Sequence, residues 1–105
     1  MTKKYTLYIG LNDQDSKRQE IQTIEAFKIC SNIFKATTGA ATISEATGIY
    51  THDDGSGEIV IEKTLRCEIT MTTYEKIVEA AEMIKTALNQ ESILIETIEI
   101  NSNLI

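Results

Sequence analysis

Hydrophobic residues in this 105-residue chain follow a spacing that switches between the period of a strand and the period of a helix. They alternate with other residues over 5–11, and recur every three or four positions over 16–34. Two more alternating runs flank an Asp-Asp-Gly-Ser-Gly turn at 53–57. A second helical pattern covers 72–88, and a last alternating run covers 92–100. The spacing therefore predicts the order strand, helix, strand, strand, helix, strand.

This order predicts one α+β domain spanning residues 1–105, because the chain is long enough for a single modest core. The arrangement is a ferredoxin-like βαββαβ two-layer sandwich with a four-stranded antiparallel sheet. Right-handed crossovers put both predicted helices on the same face of that sheet. The other face is then left open.

Short polar motifs predict where the helices begin and end. Ser16 followed by Gln19, and Thr72 followed by Glu75, fit the capping-box pattern at a helix start. Gly39 suits a left-handed residue after the first helix, and Asn89 closes the second.

The central hairpin has a register that follows from a five-residue loop at 53–57. It places Ile49 opposite Ile61 and Ile43 opposite Cys67, and it points Glu45 and Lys63 toward the core. Burying those two charges is expensive, so we expect Gly48 to form a bulge that shifts the register and frees Glu45. The hairpin and the strand end would then contribute these core residues: Ile43, Ile49, Ile59, Ile61, Leu65, Cys67, Ile69 and Met71.

The open face of the predicted sheet mixes aromatic, aliphatic and charged residues. An apolar surface of this kind rarely stays exposed to water, so we expect it to pack on a second copy or to take a ligand. A homodimer is the simplest such assembly. The predicted residues of this face are Tyr8, Tyr50, Val60, Thr64, Arg66, Leu94 and Ile98, with Glu62 and Glu68.

Charge and composition narrow the partners. A net charge of −6 argues against direct nucleic-acid binding, which needs a basic surface to neutralise phosphates. An acidic surface can also imitate nucleic acid toward a basic protein, and such an inhibitor is one alternative. The excess of Ile over Leu and Val, and of Lys over Arg, is typical of a low-GC bacterium or its phage. No signal-peptide or membrane-spanning pattern occurs, which predicts a cytoplasmic protein.

Few residues could carry catalysis. His52 is the single histidine, and beside Asp53 and Asp54 it fits a hairpin turn better than a metal site, so no metal and no cofactor are predicted. Cys30 and Cys67 fit buried core positions. A small dimeric-barrel enzyme that uses Glu45, Glu62 or His52 for acid–base chemistry is a further alternative.

Arg66 is the candidate binding residue on the predicted central strand. Its guanidinium could bind a carboxylate or phosphate while Tyr8 or Tyr50 stacks on a ring. A cross-strand ion pair with a glutamate is the alternative. The candidate binding set is Tyr8, Tyr50, Arg66, Glu45 and Glu62.

The segments Leu-Tyr-Ile-Gly-Leu at 7–11 and Glu-Ala-Thr-Gly-Ile-Tyr at 45–50 resemble a family of small, uncharacterised bacterial and phage proteins with a Tyr-x-Gly first strand. The resemblance covers the first half of the chain and directs attention to Tyr8, Gly10, Gly48 and Tyr50. It implies a phage or bacterial setting and no activity. We therefore expect a non-enzymatic, homo-oligomeric module that binds a small ligand or a partner protein, such as a phage-encoded sponge or inhibitor of a host defence factor.

Overall fold

A computed structural model describes residues 2–52 and 54–105, and within them the predicted fold is confirmed. The described residues form a four-stranded sheet in the order β2-β3-β1-β4, in which every neighbouring pair is antiparallel. No helix in these two ranges has the length and apolar character needed to cross a membrane. The elements are β1 (Thr2–Gly10), α1 (Thr23–Ala36), β2 (Thr42–Thr51), β3 (Ile59–Thr70), α2 (Tyr74–Ala87) and β4 (Leu94–Ile100).

The core lies between one face of the sheet and the two helices. Alternate residues of the central strands, such as Leu7 and Ile9 of β1, are fully buried against Phe34 of α1 and Ile84 of α2. Truncating a side chain as enclosed as Leu7 to alanine costs about 2–5 kcal/mol of unfolding free energy. The buried hydrophobic residues are Tyr5, Leu7, Ile9, Leu11, Ala26, Cys30, Phe34, Leu65, Cys67, Ile69, Ile77, Ala80, Ala81, Ile84 and Leu88.

The first helix begins later than its capping-box pattern predicts, so the Ser16–Gln19 cap is wrong. The Asp13 side chain accepts the backbone N–H groups of Asp15 and Ser16 at 2.8 and 3.1 Å, which closes a turn in place of a helix. Lys17 then has a φ of 63°, which an α-helix does not tolerate. The helix starts only at Thr23, and Gln22, its N-cap, makes no side-chain cap.

The other helix boundaries follow the prediction more closely. Thr73, one residue after the predicted Thr72, caps α2 by accepting the Lys76 N–H at 3.3 Å. Gly39 has a φ of 84° and donates its N–H to the Phe34 carbonyl, which confirms the left-handed end of α1. Asn89 also has a positive φ, of 50°, after α2.

Asn89 also joins the two connections at this end of the sheet. Its side-chain N–H donates to Asp13 and to Asp15 at 2.9 Å each, and its carbonyl accepts the Gln14 N–H at 3.0 Å. The loop before α1 is therefore fixed to the loop after α2.

The predicted hairpin register is confirmed, but the bulge is not. Gly48 pairs with Glu62 in an unbroken ladder that also places Ile49 opposite Ile61. Glu45 and Lys63 lie on the helix-side face and are nevertheless exposed. The sheet needs no bulge to free these charges, because the helices do not reach over this part of the hairpin.

The same geometry corrects the predicted core. Ile49, Ile59 and Ile61 lie on the helix-side face but are 68%, 65% and 65% exposed, and Met71 is exposed at the other end of β3. The outer part of the hairpin is thus an arm that extends beyond the helices, and it contributes to the long dimension of a molecule measuring 48 × 25 × 22 Å.

At the tip of the arm, the described residues form the predicted turn. Asp54 accepts the Ser56 N–H at 2.9 Å, and Gly55 and Gly57 have positive φ angles of 85° and 72°. The predicted role of Asp53 in this turn lies outside the described residues. His52 donates its backbone N–H to the Glu58 carbonyl at 2.8 Å, so it belongs to the end of the hairpin ladder.

The buried cysteines give a test of this core. Burial raises the pKa of both the Cys30 and the Cys67 thiols to about 12, because the thiolate form is desolvated. At pH 8 we expect native protein to react with iodoacetamide at least roughly a thousandfold more slowly than an unfolded thiol. Mass spectrometry of time points in buffer and in denaturing urea measures both rates. Rapid double alkylation of the native protein would contradict this packing.

Candidate functional site

The open face of the sheet collects the even-numbered residues of the central strands. The β1–β3 register places Tyr8 opposite Arg66 and Thr6 opposite Glu68, and β4 adds Leu94 beside Tyr8. Because side chains alternate along a strand, these residues point away from the helices. The structure thus brings Tyr8 and Arg66, two predicted binding residues, into one row.

A concavity of about 500 Å³ lies on this face. It has the size of a small-molecule site, and its lining combines both charges with hydroxyl, aromatic and aliphatic groups. The lining residues are Lys4, Thr6, Tyr8, Arg66, Glu68, Glu96, Thr97 and Ile98.

Charges within the concavity are partly paired. Lys4 Nζ lies 2.8 Å from Glu68 Oε2, and Arg66 Nε lies 3.5 Å from Glu68 Oε1. The hydrogen bond from Lys4 and its positive charge lower the pKa of the Glu68 carboxyl group, with a smaller effect from Arg66. Arg66 therefore has a glutamate partner, as the alternative interpretation predicted, but the longer contact leaves its side chain 47% exposed and accessible to an anion.

A second group lies farther along the same face, where β1 ends and the hairpin continues. Gly48 and Glu62 pair there, with Tyr50 and Val60 in the next row. Desolvation raises the pKa of Tyr50, with smaller contributions from the negative charges of Glu62 and Glu91. The ring of Tyr50 also packs edge-on against His52, with centroids 6.2 Å apart.

The predicted binding residues are thus divided between two ends of the face and one position off it. Tyr8 and Arg66 form one end and Tyr50 and Glu62 the other, about 13 Å apart along β3, since four residues of strand separate Glu62 from Arg66. Glu45 lies on the opposite side of the sheet, where it is exposed.

Sequence reasoning missed Lys4, Thr6, Glu96 and Thr97. The alternation of β1 could have indicated Lys4 and Thr6, because they have the parity of Tyr8, but the predicted strand began only at Tyr5. Glu96 lacked a signal, since its place on this face depends on which strand pairs with β1. Residues 2–52 and 54–105 contain no group of three or more His, Cys, Asp or Glu side chains suited to a metal ion.

Comparison with known proteins gives structural neighbours. No protein-family model and no curated protein matches the chain. A phage SAM lyase solved in complex with S-methyl-5'-thioadenosine superimposes with a TM-score of 0.72, at 21% sequence identity over 93% of this chain and 81% of that one.

Two divalent-cation tolerance proteins share the same fold. The periplasmic protein CutA from Archaeoglobus fulgidus is 16% identical, with a TM-score of 0.62 over 99% of this chain and 88% of that one. CutA1 from Ehrlichia chaffeensis is 21% identical, with a TM-score of 0.58 over 95% and 84%. These likenesses establish that the chain has the ferredoxin-like fold of a group of small bacterial, archaeal and phage proteins.

Proposed function

We propose that the protein is a homo-oligomeric binding module that holds a small adenosine-containing thioether or sulfonium compound on its open sheet face. The observation that carries the proposal is the concavity of about 500 Å³, in which a tyrosine ring, a partly free guanidinium and acidic groups share one surface. A cytoplasmic location is part of the proposal, because Cys30 and Cys67 are both free thiols.

The charges of the face favour a small zwitterion over a basic protein. Lys4 and Arg66 lie among Glu68 and Glu96, so the concavity has no single sign despite the net charge of −6. A nucleic-acid mimic needs an extended surface of one sign to attract its partner. The mimic hypothesis stays a prediction of the composition, as does a role as a sponge or inhibitor in a phage.

The ligand class follows from combining the site chemistry with the structural neighbours. A superimposable phage enzyme holds S-methyl-5'-thioadenosine, which has an adenine ring, a ribose and a thioether. On this chain, Tyr8 can stack on such a ring, and Arg66 can pair with the carboxylate of the methionine part of S-adenosylmethionine (SAM). Tyr50 and Glu62 would face a part of the ligand that extends along β3.

The proposed assembly is supported by unpaired apolar surface. The arm exposes Ile49, Ile59 and Ile61 on one side, while Leu94 and Ile98 are 58% and 54% exposed on the open face. The strands β2 and β4 are the two edges of the sheet, with backbone groups free to pair with another strand. A second copy of the chain that covers the arm would bury this surface.

A lyase is the second candidate function, favoured by the activity named for the phage neighbour. In SAM, the carboxylate can attack the γ-carbon as the carbon–sulfur bond breaks. Sulfur then leaves with the electron pair as neutral S-methyl-5'-thioadenosine, and the remaining fragment closes to a lactone. This step consumes no water and needs no external acid or base, so a small set of titratable groups is sufficient for it.

Ligand binding tests the proposal directly. In isothermal titration calorimetry we expect the purified protein to bind SAM and S-methyl-5'-thioadenosine. Arg66→Ala should weaken SAM binding roughly tenfold, because the ligand carboxylate loses a charged donor. Arg18→Ala is the matched control, since Arg18 is the other arginine of the chain and lies on an exposed loop. Absence of binding to both compounds would refute the proposed ligand class, and liquid chromatography of the SAM mixture reports turnover.

Native mass spectrometry tests the assembly. The double variant Ile59→Ser and Ile61→Ser should shift the protein toward the monomer, because it removes apolar surface that the proposed second copy covers. Ile24→Ser is the control, since Ile24 is also about half exposed but lies on α1. A monomeric wild-type protein, or an unchanged mass in the double variant, would contradict the role of the arm.

A further inference from the structure

The two ends of the open face differ in how their carboxylates are neutralised. Glu68 contacts both Lys4 and Arg66 within 4.0 Å. Glu62 has no ion-pair partner among the residues that the structure describes, and it lies close enough to Glu91 and Tyr50 for both carboxylates to act on the tyrosine. The Glu62 end of the face is therefore left with uncompensated negative charge.

The Glu62 carboxylate is nevertheless held in a defined place. Its Oε2 accepts the backbone N–H of Asn12 at 2.9 Å. The carboxylate lies over Gly10, and a β-carbon at that position would overlap all of its heavy atoms. The end of β1 thus provides both a donor and the empty space for this side chain.

Gln90 fixes the peptide that holds Glu62. Its side chain is buried, and its Nε2 donates to the Asn12 carbonyl at 2.8 Å and to the Leu88 carbonyl at 3.3 Å. Asn12 therefore bonds to Gln90 through its carbonyl and to Glu62 through its N–H. Three distant segments of the chain, after β1, within β3 and after α2, meet to orient one carboxylate.

We propose that Glu62 and Tyr50 form a subsite for the positively charged group of the ligand, and that Gln90 is a positioning residue that holds the Glu62 carboxylate through Asn12. A fixed carboxylate beside an aromatic ring attracts a sulfonium or ammonium group, and a carboxylate without an ion-pair partner has its charge available for it. This inference rests on the proposed function, and it adds a preference for cationic SAM over the neutral thioether.

Glu62→Gln tests the role of the charge. The glutamine oxygen can still accept the Asn12 N–H, so the variant removes the charge while it keeps the length and the hydrogen bond. We expect SAM binding to weaken roughly tenfold or more, and S-methyl-5'-thioadenosine binding to change by less than about twofold. Glu45→Gln is the matched control, because Glu45 is an exposed glutamate on the opposite side of the sheet.

Gln90→Leu tests the positioning role, since it removes the donor and keeps a similar volume. We expect a selective loss of SAM affinity of roughly threefold to tenfold. The loss should nearly disappear in a double variant that also carries Glu62→Gln, because Gln90 then has no charge to position. Gly10→Ala, which displaces the carboxylate from the other side, should give the same selective loss if the leucine variant does not fold.

The outcomes separate this inference from the proposed function. If the wild-type protein binds neither compound, the proposed function fails and the inference fails with it. If both compounds bind but Glu62→Gln weakens them equally, or leaves both unchanged, the subsite is wrong while the proposed function stands. If Gln90→Leu has the same effect in the wild-type protein and in the Glu62→Gln variant, its role is structural and the positioning is wrong.

Discussion

The antiparallel pairing of β1 with β3 at the centre of the sheet is the constraint on which the other features depend. Its register puts Leu7 beside Cys67 under the helices, and it thereby puts Tyr8 beside Arg66 on the other face. Because side chains alternate along a strand, a slip of one residue would expose the core and bury the charged face together. The free energy that buries the core thus also fixes the geometry of the candidate site.

The arm has a different origin from the rest of the sheet. The helices cover the sheet only as far as the end of β1, while β2 and β3 continue to the turn at Gly55. Beyond that limit both faces of the hairpin meet water, and an inward-facing isoleucine such as Ile61 has no helix to pack on. A two-stranded ribbon of this kind is stable only marginally by itself, so a partner on the arm would add stability as well as contact area.

The alternation of apolar residues was sufficient to predict the strand order, the hairpin register and the parity of each face, because these depend on local spacing and loop length. The start of α1 was not predictable in this way, since the Asp13 turn and the positive φ of Lys17 compete with a helix-like pattern. The exposure of Ile49 and Ile61 depends on where the helices end over the sheet. The link from Gln90 through Asn12 to Glu62 joins residues 78 and 50 positions apart, and single-sequence spacing contains no signal for such pairs.

Asn89 gives the two loops at this end of the sheet a shared fate in local unfolding. One side chain and one carbonyl hold Asp13, Gln14 and Asp15, so the loop before α1 cannot open without breaking the turn after α2. Segments that share their hydrogen bonds in this way open as one cooperative unit, and their amide protons exchange with solvent together. Since Asn12 and Gln90 lie within that unit, a ligand that engages Glu62 would slow exchange in both loops at once.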